Sequence, residues 1–406
     1  MRISTPKRIF VPLAALFFFQ WGASGMWNVS FSNVLRHAGL ERFIAIAFAC
    51  NAIASFVSPL IVGAMADRGV SPIKLLRWLY WSAGVLLGLM FLAIDRGWGG
   101  GPMLTFMQMH SLCFSPTTSL VTTIALAELH KPSAEFGPLR TWATGGWIVA
   151  GWVVSWVLVA DSSPLCGYTA AAIIVGLGFA TYFLPGLKPA TAGRAKTWTE
   201  RLGLDAWQLF KHHDHRTILL TATLFGIPVA AFYPFTPLHL TALGFDHPTA
   251  TMTLGQASEV ASLLLLATLT RTIRLKWVIL AGLVFGILRY ALFSLDHSAA
   301  LLCGIALHGA CYALYNVTAQ IYLAERVDPA MKARAQALFA MLTGGVSNLC
   351  GYLGTGWWYH RMTTDGVTHW PVYWIGLCAT TVAVTLYFTL SYHGAGTGFF
   401  RKPAVR

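Results

Sequence analysis

One acidic side chain interrupts a long apolar stretch of the sequence. The segment TMTLGQASEVASLLLLATLT (251–270) carries Glu259 near its centre and Gln256 three residues earlier. Inserting a charged carboxylate at mid-membrane depth costs roughly 3 kcal/mol, so such a group faces water or is held protonated by burial. We therefore predict that Glu259 gains and loses a proton as part of the protein's function. Gln256, one helical turn away, is predicted to hydrogen-bond a substrate or the Glu259 side chain. The alternative is a structural acid paired with a base such as Arg289.

A second polar stripe lies in the segment FGPLRTWATGGWIVAG. Arg140, Thr144 and Trp147 are spaced four and three residues apart, which places them on one face of a helix. A guanidinium fork, a hydroxyl and a flat ring suit a ligand with a polar part and a planar part. The alternative is a snorkelling arginine beside a tryptophan that only packs.

The segment LHGACYALYN (307–316) offers a third group of polar side chains. His308 and Tyr312 share a helix face, and Asn316 adds an amide. With Tyr233 from an earlier segment, these residues could hold a hydroxylated ligand, and we predict that all four bind substrate. Three further polar residues lie within apolar segments. His110 could either pack or function, and Asn51 has no assigned role. Arg289 is predicted to be structural.

The elements that must position these groups are membrane-spanning helices. The chain has 406 residues, of which 56% are hydrophobic and only 11% are charged, too few to cover a soluble protein of this size. Apolar runs of about 20 residues recur, each long enough to cross a bilayer. We predict an all-α polytopic membrane protein with twelve helices, at roughly 9–34, 43–66, 75–94, 102–128, 135–160, 165–185, 216–242, 248–270, 275–294, 298–324, 333–357 and 370–392.

A polar segment between the sixth and seventh helices divides the predicted bundle. We predict an N-terminal six-helix bundle over 1–185, a cytoplasmic linker over 186–215 and a C-terminal six-helix bundle over 216–406. The halves echo each other weakly, since TGGWIVAG in the fifth helix resembles TGGVSNLCG in the eleventh. Parallel six-helix repeats are typical of major facilitator transporters.

The charge distribution predicts the orientation of the chain. With a cytoplasmic N-terminus, 22 of the 28 Lys and Arg residues fall on the cytoplasmic side and four on the other. This asymmetry follows the positive-inside rule, so we predict a cell inner (plasma) membrane location with both termini cytoplasmic. The net charge of +13 then reflects topology and contact with anionic lipid, and no nucleic-acid partner is predicted.

Several other function classes are disfavoured by the residues. The seven cysteines are single and apolar in context, so the sequence predicts neither a metal site nor disulfides, and no cofactor. No nucleophile–base pair or metal cluster at membrane depth indicates an intramembrane enzyme. The predicted tails are too short for the output domain of a receptor. We expect a monomer.

The motif GAMADRGVSPIK resembles the signature between helices 2 and 3 of the major facilitator superfamily. The resemblance implies a cytoplasmic gate that stabilises one conformation of the transport cycle without touching substrate, formed by Gly63, Asp67, Arg68 and Lys74. Further segments resemble, in order and spacing, the nucleoside:proton symporters of enteric bacteria: FGPLRTWATGGWIVAGWVVS, LGLDAWQLFK, GQASEV, ILRYALFSLD and YNVTAQIYLAERVDPAMKARAQALF. In that family the matching residues line the central nucleoside site: Arg140, Thr144, Gln256 and Glu259.

The chain departs from this family at two places. Ala313 stands where the family has an aspartate, and the helix 7 segment VAAFYPF carries Ala230, Phe232 and Tyr233 where the family shows amides. The predicted function is import of a nucleoside, or a similar polar and partly planar solute, with protons by alternating access. The alternative keeps the fold and carries a sugar, a muropeptide fragment or an aromatic acid.

Overall fold

The computed structural model describes residues 4–67, 70–184, 197–328 and 331–394. These residues are mainly helical, and a two-stranded antiparallel hairpin joins Thr363–Thr364 to Val367–Thr368. Within the described ranges, ten helical segments are long and apolar enough to cross a membrane. The all-α membrane fold is therefore confirmed, while the number of twelve spans stays a prediction.

The chain divides into two compact units. The first unit comprises Met1–Trp198 and Tyr233–Thr253, and the second comprises Thr199–Phe232 and Leu254–Arg406. The helices that precede the predicted linker are α1 (Lys7–Asn28), α2 (Phe31–His37), α3 (Ile44–Asp67), α4 (Pro72–Asp95), α5 (Gly100–Glu128), α6 (Pro132–Trp152) and α7 (Leu165–Ala180). Short 3₁₀ turns cover Glu41–Phe43 and Thr181–Phe183, and a π turn covers Val153–Val157. The boundaries predicted for the two bundles and their linker stay a prediction.

The helices of the remaining sequence are α8 (Trp198–Arg201), α9 (His213–Val229), α10 (Phe232–Ala242), α11 (Pro248–Thr272), α12 (Leu275–Phe293), α13 (Ser298–Cys311), α14 (Thr318–Arg326), α15 (Lys332–Ala340), α16 (Asn348–Arg361) and α17 (Trp370–Ser391). A 3₁₀ turn covers Leu204–Lys211, and π turns join α13 to α14 over Tyr312–Val317 and α15 to α16 over Met341–Ser347. All three boundaries between the units fall inside helices, in α8, α10 and α11.

Prolines explain where several helices begin and where one predicted helix breaks. Pro72 and Pro132 stand in the first turns of α4 and α6, where a backbone N–H has no helical partner to lose. Pro234 has no N–H to donate to the carbonyl group of Ala230, four residues earlier, which interrupts the regular helix between α9 and α10. The helix predicted over 216–242 is accordingly interrupted between α9 and α10, while His213–Ala242 remains one segment long and apolar enough to cross a membrane.

Large apolar side chains cover much of the outer surface. Phe183 is 82% exposed, Leu264 75% and Leu390 78%. In water such a surface would be costly, whereas lipid chains solvate it. The burial pattern therefore agrees with helices that lie in a bilayer.

The segment before α1 is tied to the start of α6 by a buried carboxylate. Glu135 accepts hydrogen bonds from the Thr5 backbone N–H (2.9 Å), the Thr5 hydroxyl (2.6 Å) and the Lys131 backbone N–H (3.1 Å). These donors satisfy the carboxylate without a basic side chain. Glu135 thus has a structural role at a helix end, which distinguishes it from the mid-span Glu259.

Helices α1 and α6 approach closely through glycine. A Cβ atom built on Gly146 would lie 2.0 Å from the Phe18 carbonyl oxygen, and one built on Gly22 would lie 3.3 Å from the Gly146 carbonyl oxygen. Small residues allow this kind of backbone contact between membrane helices. Because α6 carries Arg140 and Trp147, the contact also positions a part of the predicted site.

We predict that Gly146→Ala separates α1 from α6 and lowers the stability of the protein by about 1–3 kcal/mol, the usual cost of overpacking. Thermal unfolding of the purified protein in detergent measures this loss. The control is Gly145→Ala, since a Cβ atom there meets nothing within 4 Å. Equal unfolding temperatures for the two variants would contradict the close approach.

Candidate functional site

Glu259 lies where α11 crosses α13. The side chain is half-buried, and Gln256, one turn earlier, is buried. A Cβ atom on Gly309 of α13 would lie 2.0 Å from the Glu259 backbone nitrogen and 2.4 Å from its Cα. The Gly309 N–H donates to the Ser258 hydroxyl over 3.1 Å. The absence of a side chain at Gly309 therefore lets the backbone at Glu259 rest directly on α13.

His308, the neighbour of Gly309, is held between an arginine and an aromatic ring. Arg289 Nη1 lies 2.6 Å from His308 Nδ1. A guanidinium can only donate, so Nδ1 is the acceptor, the imidazole is neutral and its proton is on Nε2. The ring of Phe232 stacks on the imidazole, with centroids 3.7 Å apart and planes 8° from parallel. The tertiary structure thus assigns the tautomer of a predicted binding residue.

Arg289 is fully buried in α12 and bonds to neutral groups. Besides His308, it donates to the Cys311 sulfur over 3.4 Å and to the Tyr290 hydroxyl. The Tyr290 hydroxyl in turn donates to the Pro228 carbonyl oxygen over 2.6 Å. The guanidinium carbon also lies 4.5 Å from the Tyr290 ring centroid, a cation–π distance. The sequence predicted a structural role for Arg289. In the structure Arg289 also contacts the candidate site through His308.

Tyr312 and Asn316 lie on the π turn over Tyr312–Val317. Both side chains are half-buried, whereas Ala313 between them is fully buried. Single π turns inside helices are frequent at functional sites because the extra residue re-aims the neighbouring side chains. The periodicity used on the sequence could not anticipate this turn.

In the first unit, α6 presents the predicted stripe of three residues. Arg140 is exposed, while Thr144 and Trp147 are half-buried. The Trp147 ring lies 5.7 Å from the Tyr233 ring at an interplanar angle of 59°. A Cβ atom on Gly25 of α1 would contact Trp147 at 3.0–3.2 Å, so α1 supports the tryptophan from behind. The structure therefore brings together the predicted aromatic groups Trp147 and Tyr233.

The first unit contains a polar group that the sequence analysis missed. Gln20 donates to the Thr117 hydroxyl over 3.3 Å and accepts a hydrogen bond from the Tyr80 hydroxyl, and all three side chains are buried. The signal was a single amide in the apolar segment FFFQW. A satisfied buried network of this kind fixes the arrangement of α1, α4 and α5.

His110 has contacts typical of packing. Its Nδ1 donates to the Ala83 carbonyl oxygen over 2.8 Å, because a carbonyl can only accept. Its ring is buried and stacks on Phe114 with centroids 5.4 Å apart. Asn51 accepts a hydrogen bond from the Ser111 hydroxyl over 2.9 Å. We assign His110 and Asn51 to the packing of the first unit.

The loop motif is only partly described. Gly63 and Asp67 belong to the last turns of α3, and Lys74 is exposed in the first turn of α4. Arg68 lies outside the described residues. The gate role of these residues stays a prediction.

Among the described residues, one group has the composition of a metal site. His213, Asp214 and His393 place ligand-type atoms within 4.8 Å of one another near the start of α9 and the end of α17. The two histidines are exposed, and Arg326 lines the same cleft of about 510 Å³. The prediction that no metal is bound stays a prediction.

Comparison with known proteins identifies the family of this chain. A family model described as Nucleoside H+ symporter matches residues 7–395. The putative nucleoside transporter YegT of Escherichia coli K12 is 33% identical over 353 residues, covering 84% of this chain and 82% of that protein. The nucleoside permease NupG of Escherichia coli K12 is 25% identical over 399 residues, covering 93% and 94%.

A solved structure supports the same conclusion about the fold. The crystal structure of a mutant of the nucleoside transporter NupG matches with a TM-score of 0.86 and 25% identity. The match covers 94% of this chain and 99% of that chain. The major facilitator arrangement expected from the sequence is confirmed.

We predict that Gly309→Ala pushes α11 away from α13 and lowers uptake at least tenfold at equal protein level. The added methyl group would meet backbone atoms of Glu259, which cannot move like the end of a flexible side chain. The control is Gly255→Ala, where the nearest atoms lie 3.4–3.5 Å away, an ordinary contact distance. Uptake into proteoliposomes measures both, and equal rates would contradict the crossing geometry.

Proposed function

Because the chain belongs to the nucleoside H+ symporter family, we propose that Glu259 carries the proton in its proton-coupled nucleoside import. The protein is a multi-pass membrane transporter and not an enzyme. The observation that carries the proposal is the position of Glu259, a half-buried carboxyl group of an apolar helix at a close helix crossing. A carboxyl group that is neither fully buried nor fully exposed can gain and lose a proton during a conformational cycle.

The proposed cycle follows from the cost of enclosing a charge. Glu259 takes up a proton while it is accessible from outside, and the neutral acid lowers the cost of closing protein around it. The transporter then faces inward, where loss of the proton restores the charge and releases the nucleoside. Substrate and proton thereby favour the same conformational change, which is the requirement for coupled import.

We assign substrate binding to polar and aromatic groups of each unit. In the first unit, the Arg140 guanidinium and the Thr144 hydroxyl provide hydrogen bonds, and Trp147 with Tyr233 provides flat rings for a base. In the second unit, the polar groups are an amide, an imidazole, a phenol and a second amide, from Gln256, His308, Tyr312 and Asn316. A nucleoside presents hydroxyls and a planar base, which these groups match.

We also propose the location and orientation predicted from the charges. The asymmetry of 22 against four basic residues supports an inner (plasma) membrane protein with both termini cytoplasmic and with contacts to anionic lipid. The motif residues Gly63, Asp67, Arg68 and Lys74 would then act as a cytoplasmic gate. We propose a monomer as the transporting form.

A second cargo class is supported by the two departures from the resembled family. Phe232 covers one face of His308, and Ala313 offers no polar group. Fewer polar contacts would suit a sugar, a muropeptide fragment or an aromatic acid whose carboxylate pairs with Arg140. Competition of radiolabelled nucleoside uptake by unlabelled nucleosides, sugars and aromatic acids separates these cargoes.

We predict that Glu259→Gln abolishes uphill nucleoside uptake driven by a pH gradient while exchange across the membrane persists. Glutamine keeps the size and hydrogen bonding of the protonated acid but cannot release a proton. Uptake and counterflow in proteoliposomes measure the two activities. The control is Glu325→Gln, which makes the same change at an exposed acid of α14. Unchanged uphill uptake by Glu259→Gln would refute the coupling role.

We predict that Arg140→Ala raises the KM for nucleoside about tenfold or more, because a hydrogen bond from a charged donor contributes about 1.5–3 kcal/mol. Thr141→Ala serves as the control, since the Thr141 hydroxyl donates within its own helix to the Pro138 carbonyl oxygen over 2.7 Å. Concentration dependence of the initial uptake rate measures KM. An unchanged KM in Arg140→Ala would remove this residue from the substrate site.

A further inference from the structure

We infer that Arg289 is a positioning residue of proton coupling that, together with His308, sets the pH at which Glu259 exchanges its proton. The inference rests on the proposed coupling role of Glu259 and goes beyond it. It depends on contacts within the second unit, which contains all three residues. These contacts link α12 to α13, and α13 to α11.

The first step is the burial of a permanent charge. Arg289 is fully buried, and the groups that accept its hydrogen bonds are an imidazole, a thiol and a phenol. Enclosing a cation among neutral acceptors is costly, and in these poorly polarisable surroundings its field acts strongly on nearby titratable groups. A structural arginine at a span end would instead snorkel toward water.

The second step is the link from α12 to α13. Because Arg289 donates to Nδ1 of His308, the imidazole keeps its proton on Nε2. The parallel ring of Phe232 holds the plane of the imidazole. Arg289 therefore fixes which edge of His308 is the donor.

The third step is the link from α13 to α11. A Cβ atom on Gly255 would lie 3.5 Å from His308 Cδ2, the ring carbon bonded to Nε2. Gly255 and Glu259 are four residues apart and share the face of α11 that rests on α13. The donor edge of His308 therefore lies beside the face of α11 that contains Glu259.

Both groups act on Glu259 in the same direction. A nearby cation and a nearby N–H donor each favour the ionised carboxylate, so each makes the acid release its proton at lower pH. The other titratable or polar groups of the packed helices are an amide and a hydroxyl on α11, a thiol on α13 and two phenols: Gln256, Ser258, Cys311, Tyr290 and Tyr312. The ring of Phe232 from α10 is apolar. Among these residues and Glu259, Arg289 is the group with a permanent charge.

The test measures the pH midpoint of nucleoside uptake into proteoliposomes, since a structural role alone would change the rate without moving the midpoint. Arg289→Met should move the midpoint to higher pH by about one unit, because the carboxyl group keeps its proton longer without the cation. Arg289→Lys retains the charge and should restore the midpoint of the wild-type protein. Thermal unfolding identifies variants that do not fold.

His308 provides a second, independent pair of variants. His308→Leu removes the donor and should move the midpoint upward by a smaller amount than Arg289→Met. His308→Gln can accept from Arg289 and donate toward α11, so it should keep the wild-type midpoint whatever its rate. His110→Gln, the same change at a buried histidine of the first unit, is the matched control and should leave the midpoint unchanged.

The outcomes separate this inference from the proposed function. Uphill uptake by Glu259→Gln overturns the coupling role itself. If Glu259→Gln is uncoupled but His308→Leu and every folded Arg289 variant keep the wild-type midpoint, the coupling role stands and the inference is wrong. Loss of uphill uptake with retained exchange in His308→Gln also overturns the inference, because it would make His308 a proton carrier. If Arg289→Met does not fold, the His308 pair decides the question.

Discussion

A charged side chain inside an apolar bundle must be solvated by the protein itself. In the second unit this requirement falls on Arg289, whose guanidinium is fully buried and donates to His308, Cys311 and Tyr290. The Tyr290 hydroxyl passes the hydrogen bonding on to the Pro228 carbonyl oxygen of α9. One buried cation thereby fixes side chains on α12 and α13 and reaches the break in the seventh predicted helix. His308, which this cation holds, is the neighbour of Gly309, and the backbone at Glu259 rests on Gly309.

The departures from the resembled family are mutually consistent when seen in three dimensions. Phe232 stands in a helix where amides are expected, and its ring lies flat on His308 at 3.7 Å. Stacking satisfies the faces of an imidazole, while its nitrogens remain available within the ring plane. Ala313 is fully buried where an aspartate is expected. At these two positions the candidate site has an alanine and a phenylalanine, and the Phe232 ring lies against the imidazole that Arg289 holds.

Irregular helical turns determine how several of these groups are displayed. A regular helix would continue the faces read from the sequence through Tyr312 and Asn316, but both belong to a π turn. The break after α9 similarly separates residues that the sequence assigns to one helix. Extra residues and prolines shift the phase of a helix, so the side chains beyond them point in new directions. Patterns with a fixed period cannot express such shifts.

The sequence by itself determined the class of the protein, because apolar runs of about 20 residues leave few alternatives to membrane helices. It also singled out Glu259, since a lone acid in such a run is costly and therefore informative. Only the tertiary structure decided which groups surround that acid. The bond between Arg289 and His308 and the contact of Gly309 with Glu259 join separate helices of the chain. Spacing along a sequence reports which residues share a helix face, and contact between faces depends on how the helices pack.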